Sequence, residues 1–350
     1  MLKIGFVGAG NMGQMAHLRH YANLSDCRVV ALVEPRPELA RKVAARYGIE
    51  RLYSSAIEML QSEKLDGVVA PQPFDRHGQI ITPLYEFGVP ILTEKPLASS
   101  VQVGEAMIAA LAKSNSWHMV GYHKRNDPAV VWSKAEIERV KNTGELGALK
   151  YVRITMPPGD WVSGGFDELI SSDEILSPDQ MIGADAPDET LPSEEFAQYI
   201  SFVNFYIHQV NLLRHLLGEN YRVTHADAAG VLLVAQSASG VTGTIEMSPY
   251  QTSRGWDESA FVAFENGYFQ IDLPAPLSTV PGKVTASYDG DNARRITPDL
   301  APEGAMRAQA KNFLRAIRGE IAPPCEAHEA LEDLKIARNY LNLWKQNKTS

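Results

Sequence analysis

The sequence predicts an α/β fold in two parts. The first is an N-terminal doubly wound parallel sheet, and the second a C-terminal α/β domain on an open, mostly antiparallel sheet. Three observations predict this. An opening apolar run stops at a glycine cluster, Gly8-Ala9-Gly10-Asn11-Met12-Gly13. Short, nearly all-apolar runs then alternate with amphipathic stretches to about residue 122. Beyond it, strand-like segments follow one another across turn pairs such as Ser239-Gly240 and Asn266-Gly267.

In the first part, strands are expected at Leu2–Val7, Arg28–Val33, Gly67–Ala70, Pro90–Thr93 and His118–Tyr122. Helices are expected at Glu38–Tyr47 and Gln79–Phe87, where apolar residues recur at helical spacing. Gly48 and Gly88 stand where helix C-caps fall. The glycine cluster lies between a strand and a helix-like run. The next strand ends at Glu34, about 20 residues past Gly13. In that context Gly-x-Gly-x-x-Gly is a Rossmann dinucleotide fingerprint. Gly8 permits a tight turn, Gly10 lets the backbone approach a pyrophosphate, and Gly13 lets helix and strand pack closely. The helix start, with Asn11 and Met12, offers N–H groups and a positive dipole end to phosphates. Glu34 is placed to accept both adenosine ribose hydroxyls.

In the second part, Pro128 suits the first position of a helix running to Lys141. Tyr151–Met156 reads as a strand. Residues 157–192, rich in Pro, Gly, Ser and Asp, read as a long excursion over a binding cleft. A helix is expected over Glu194–Leu217, then strands at Val223–Ala228, Val231–Ser237, Thr242–Ser248, Ala260–Glu265 and Tyr268–Leu273. Helices at Ala305–Ile317 and Glu326–Asn347 finish the chain. The expected division is a dinucleotide-binding domain over residues 1–122 and a substrate-binding and oligomerisation domain over 123–350, the last helix packing back on the first domain.

Composition narrows the function. At 350 residues the chain can bury a large core without staples. A net charge of −9 argues against a nucleic-acid partner. No apolar run reaches the ~18 residues that span a membrane. The first strand begins beside Met1, so no leader is expected. Cys27 and Cys325 stand far apart and read as thiols of a reducing compartment, hence a cytoplasmic protein. No His/Cys/Asp spacing suggests a metal.

Two further segments carry chemistry. Thr93-Glu94-Lys95-Pro96 leaves the Pro90–Thr93 strand at the sheet edge where ligands bind, so Lys95 projects toward a nicotinamide. Asn204, His208 and Asn211 are spaced i, i+4, i+7 and share one face of an otherwise apolar helix. A polar stripe of that kind suits a cleft, since buried polar groups need partners.

Taken together, the fingerprint, Pro73-x-x-x-His77, Glu94-Lys95-Pro96, Gly121-Tyr122-His123-Lys124-Arg125-x-x-Pro128 and His208 with Leu212-Leu213-Arg214-His215-Leu216-Leu217-Gly218 resemble the Gfo/Idh/MocA family, that of glucose–fructose oxidoreductase and inositol dehydrogenase. Phe313-Leu314-x-Ala316-Ile317-Arg318-Gly319 also fits. The resemblance spans nearly the whole chain, but residues 157–192 have no counterpart in it. It implies a nicotinamide cofactor, hydride exchange at a sugar or cyclitol carbon, and a homodimer or homotetramer formed through the C-terminal sheet. By position, Lys95 would polarise the reacting oxygen and His208 would be its general acid/base. The family's sugar and cyclitol dehydrogenases usually carry an aspartate where Asn204 stands. An asparagine can orient a histidine but cannot stabilise an imidazolium by charge.

Glu34 favours NAD, because a 2′-phosphate would meet its charge. Arg36 keeps NADP as the alternative, since it could stack on adenine or reach that phosphate. Pro71, Gln72, Pro73 and His77 are expected to border the cofactor with Glu94 and Lys95. His123, Arg125, Asp160 and Trp161 join Lys95, Asn204 and His208 as candidates for a carbohydrate-like substrate. The leading expectation is an NAD-dependent oxidoreductase acting on a CH–OH group. The competing readings are a redox-neutral lyase or glycosidase with tightly held NAD, motivated by Asn204 and the excursion, and a non-catalytic dinucleotide-binding regulator.

Overall fold

The computed structural model describes residues 1–176, 182–248, 250–252, 255–289 and 293–348. The chain divides into two compact units. One comprises Met1–Tyr122, Gly164–Phe196 and Gln309–Leu331; the other His123–Ser163, Ala197–Ala308 and Glu332–Ser350.

The first unit is built on β1 (Leu2–Val7), β2 (Cys27–Val33), β3 (Arg51–Tyr53), β4 (Gly67–Ala70), β5 (Ile91–Glu94) and β6 (His118–Gly121). They form one sheet in the order β3-β2-β1-β4-β5-β6, every neighbouring pair parallel. The strand order reverses between β1 and β4, and in such sheets the crevice beyond the strand ends at that point holds ligands. The buried runs of β4, β5 and β6 show the sheet covered on both faces. After the glycine turn a π-helical stretch, Gly13–Leu18, runs into α1 (Arg19–Tyr21). Then come α2 (Pro37–Tyr47), α3 (Ala56–Ser62), α4 (His77–Ile81) and α5 (Val101–Leu111). Gly48 ends α2 in the left-handed region (φ 66°), as its position in the sequence predicts. Ile4, Phe6, Leu32 and Leu92 form the core, joined by Phe313 and Leu314 from near the chain's end.

The second unit contains α6 (Pro128–Thr143), β7 (Leu149–Met156), most of α7 (Ser193–Leu217), and β8 (Tyr221–Ala226) through β9 (Leu232–Ser237), β10 (Thr242–Met247), β11 (Glu258–Phe264), β12 (Gly267–Leu273), β13 (Lys283–Tyr288) and β14 (Arg294–Ile296). The sheet order is β14-β13-β12-β11-β7-β10-β9-β8. Only the β7–β10 pair is parallel. Gly243 on β10 has its reason in α7: a Cβ there would lie 2.9 Å from Leu213. Helices α8 (Ala305–Ile317) and α9 (Ala327–Lys348) each begin in one unit and end in the other.

Three strands were not expected. β3 and β14 are three residues each, too short for an alternation to show. β13 alternates between buried and more accessible positions, but its residues are mostly polar or small. The single helix expected over Gln79–Phe87 is instead α4 followed by a 3-10 turn, Thr82–Phe87. Pro83 lacks the N–H that would continue the α-helical ladder.

Candidate functional site

In the first unit, the three glycines of the turn serve three different needs. Gly8 has φ 105°, and a Cβ there would lie 2.2 Å from the Gln72 amide. A Cβ on Gly13 would lie 2.6 Å from the carbonyl oxygen of Gly8. A Cβ on Gly10 would meet nothing within 4 Å. The fold therefore requires Gly8 and Gly13. Gly10 leaves free the space that a pyrophosphate takes beside the turn. Met12 supplies no side-chain cap, so amides of that helix start stay on offer to an anion. These features fit a dinucleotide.

Glu34 is 5% exposed and ties the turn to the next crossover. Its Oε2 accepts the Ala9 amide (3.0 Å), and its carboxylate takes the Arg36 backbone amide (3.2 Å) and guanidinium (2.7 and 3.1 Å). Arg36 is thus paired with Glu34. The Glu34 hydrogen bond raises the guanidinium pKa.

Beyond β4, the Gln72 side chain donates to Val7 O (2.6 Å), bracing the turn. The Pro71 ring lies against the Gly13 position. His77 is fully buried, with Nδ1 2.9 Å from Leu97 O and Nε2 3.1 Å from Gln72 O. Each ring nitrogen faces a carbonyl oxygen, and burial lowers the pKa, so the neutral ring donates to one of the two at a time. His77 therefore staples together the loops that follow β4 and β5.

Beyond β5, Lys95 is half-buried and its bond to Pro96 is cis. The preceding Glu94 is 7% exposed and pairs with His17 of the π-helical stretch at 2.7 Å. Glu94 Oε2 also accepts the Lys95 amide at 3.4 Å. Below this, His118 bridges Thr93 Oγ1 and Tyr85 Oη, each at 2.8 Å, and burial pushes its pKa down to about 3.

The excursion contributes to this unit at the carboxyl edge of the sheet. Gln14 donates to Ile170 O (2.9 Å) and accepts from Ile170 N (3.1 Å). Glu174 accepts the amides of Glu38 and Leu39 at 2.9 Å each, capping α2. Asp185 accepts the amides of Gly78 and Gln79 (2.8 and 3.0 Å) at the start of α4. Asp188 accepts from Gln102 at the start of α5 (2.9 Å).

In the second unit, the polar stripe of α7 runs from solvent to interior. Asn204 is exposed, His208 half-buried and Asn211 1% exposed. The His208 ring meets His123 edge to face, centroids 4.5 Å apart. Asn211 accepts from Arg125 Nε (2.7 Å) and donates to Asp333 (2.6 Å), which also binds Arg214 (2.9 and 3.3 Å). Arg125 and Asn211 are thus engaged in a buried ionic cluster. Next to it, Glu258 binds Lys124, Gln209 (2.7 Å) and Trp256 (3.1 Å). Asp160 caps its own turn through the amides of Val162 and Ser163 (3.0 Å each), and Trp161 is 41% exposed.

Sequence reading missed His17, Gln14, Glu174, Asp185, Glu258 and Asp333. His17 lies four residues past Gly13, on the helix face that Gly13 brings against the sheet, which was a usable signal. The carboxylates of the excursion lie in an aperiodic stretch and carried none. Among the described residues, no group of three or more His, Cys, Asp and Glu could hold a metal.

Comparison with known proteins agrees with this geometry. Residues 2–122 match the oxidoreductase family with an NAD-binding Rossmann fold, Gfo/Idh/MocA. The chain is 25% identical over 298 residues to inositol 2-dehydrogenase of Rhizobium meliloti (strain 1021), covering 79% of this chain and 77% of that protein. It is 23% identical over 357 residues to scyllo-inositol 2-dehydrogenase (NAD(+)) of Bacillus subtilis (strain 168), covering 96% and 92%. The structure of a levoglucosan dehydrogenase in complex with NADH and levoglucosan superposes with a TM-score of 0.72 at 19% identity, over 99% and 98% of the two chains. Residues 2–122 thus belong to the Gfo/Idh/MocA oxidoreductase family with its NAD-binding Rossmann fold, and relatives at 23–25% identity extend over most of the chain's length.

Proposed function

We propose that the protein is an NAD-dependent dehydrogenase that oxidises a hydroxyl-bearing carbon of a sugar, cyclitol or related compound. The observation that carries this reading is the phosphate turn with open space at Gly10 and a buried carboxylate at Glu34, followed by Lys95 at the end of β5. Two relatives named for inositol and scyllo-inositol, and a structural neighbour named for levoglucosan, support the substrate class.

The chemistry assigns the parts. NAD, when bound, accepts the hydride from the carbon. The hydroxyl proton must leave as the hydride does, and a positioned base contributes ~10²–10⁴-fold. Lys95 polarises the reacting oxygen, and His208 takes its proton. Glu34 holds the ribose hydroxyls, and the Gly8–Gly13 turn holds the pyrophosphate. His123 orients His208 from the side, and Asn204 and Trp161 contact substrate. Arg125 acts on the site indirectly, through the cluster it shares with Asn211.

A homo-oligomer joined through the second sheet fits the half-buried Tyr151, Arg153, Thr155 and Phe261 on one of its faces. A cytoplasmic setting fits two buried cysteines that form no disulfide. Among the described residues, no helix is long and apolar enough to cross a membrane.

The test is the near-ultraviolet absorbance of reduced nicotinamide, followed with purified protein, NAD and a panel of sugars, cyclitols and sugar acids. A steady rise with one substrate, abolished in Lys95→Ala, is expected. Substrate consumption with no rise would replace this reading with a redox-neutral lyase or glycosidase.

A further inference from the structure

We propose that Glu174, carried by the excursion, is a specificity-determining residue that excludes a 2′-phosphorylated dinucleotide. This rests on the NAD-binding reading above and extends it to a residue far from the fingerprint in sequence.

A Rossmann fold tells its two dinucleotides apart at the end of β2. There an acid accepts the ribose hydroxyls, or a nearby arginine takes the 2′-phosphate. The next elements on that side are Arg36 and the start of α2. Free amides at an 11-residue helix start, with an arginine just before them, would suit a phosphate. Here neither is free. Arg36 supplies no side-chain cap to α2, and its guanidinium lies on Glu34 at 2.7 and 3.1 Å. The cap comes instead from Glu174, whose two oxygens accept Glu38 N and Leu39 N at 2.9 Å each. Ser172 Oγ donates to the same carboxylate at 3.2 Å, fixing its orientation.

Glu174 thus takes the hydrogen bonds that a 2′-phosphate would use and adds a second negative charge beside Glu34. Burial works to raise its pKa, but the two amides, Ser172 and Arg41 outweigh that and lower it, so it is charged at neutral pH. Its field also reaches Arg36, adding to the hold of Glu34 on that cation. A phosphate dianion arriving here would meet two carboxylates, with the Arg36 guanidinium and the first amides of α2 already engaged by them. A ribose with a free 2′-hydroxyl has no such conflict.

The test is a binding titration of the full chain with NADH and NADPH, read by the fluorescence of the reduced nicotinamide and so independent of turnover. Glu174→Gln keeps the shape and one acceptor but removes the charge; Glu174→Ala removes both. For wild type, NADH is expected to bind more tightly than NADPH. In both variants NADPH binding should strengthen about fivefold or more, with NADH held within about twofold, and the gain should shrink at high salt. Unchanged NADPH affinity in both variants, or equal changes for the two dinucleotides, would overturn the proposal alone. A wild-type chain that binds neither dinucleotide would overturn the NAD-binding reading and this proposal with it. Circular dichroism of each variant establishes that it is folded.

Discussion

His17 and Glu94 form a buried pair, Nε2 to Oε1 2.7 Å, that links the helix after the phosphate turn to the residue before Lys95. Glu94 in turn accepts the Lys95 amide. The helix after the glycine turn and the strand end that precedes Lys95 are therefore joined by one carboxylate. His17→Ala leaves that carboxylate buried without its partner and is expected to cost about 3 kcal/mol. His17→Gln, whose amide can still donate, is expected to cost about 1 kcal/mol. Urea unfolding measures both. Turnover in His17→Gln should fall on the order of tenfold through displacement of Lys95, with NADH affinity preserved. Equal stabilities for the three proteins would show that the pair is incidental.

His118 gives the fold an acid limit. Its pKa is about 3 in the folded chain, against an ordinary value of 6.5. Between those values the unfolded chain holds a proton that the folded one lacks, so stability rises with pH there and falls on acidification. The contribution is at most about 1.4 kcal/mol per pH unit and is complete above the ordinary value. His77 and His215, both lowered by burial first, act in the same direction. Urea midpoints measured across this range should fall less steeply for His118→Gln, by about one proton's worth of slope. An unchanged slope would mean that His118 titrates normally.

Asp333 is the anion of the buried cluster in the second unit, binding Arg214 and Asn211, with Arg125 on the far side of Asn211. Asp333→Asn leaves buried guanidinium charge without this carboxylate and is expected to cost about 3 kcal/mol, read as a lowered urea midpoint. A loss under about 1 kcal/mol would mean that other groups neutralise the cluster. The geometry also gives Asn211 a reason to be an amide. It must accept from Arg125 and donate to Asp333 at once, which a carboxylate cannot do.

Much of this was legible in the residues because their spacing carries the information. Gly8, Gly10 and Gly13 reveal a strand–turn–helix unit, and Glu34 follows at the distance that one helix and one strand require. The alternation along β11, buried on every second residue, shows in Ala260, Val262 and Phe264. What was not legible depends on contacts across long separations. The sequence does not show that the His77 ring lies between the carbonyls of Leu97 and Gln72 on two adjoining loops. Nor does it show that Asp160 accepts the amides of Val162 and Ser163 in its own loop. Glu174 lies 136 residues from Glu38 in sequence, and nothing local marks it as the cap of α2. No periodicity encodes such a pairing.

The central claim is that a dinucleotide lies against the turn at Gly10. Gly10→Ala tests it most directly, because the added methyl enters open space and strains nothing in the protein. Titrated with NADH, the variant should bind about 10- to 100-fold more weakly than wild type, the effect of ~1–3 kcal/mol of overpacking, with an unchanged melting temperature. Equal affinities in the two proteins would mean that nothing lies beside Gly10, and would contradict the account.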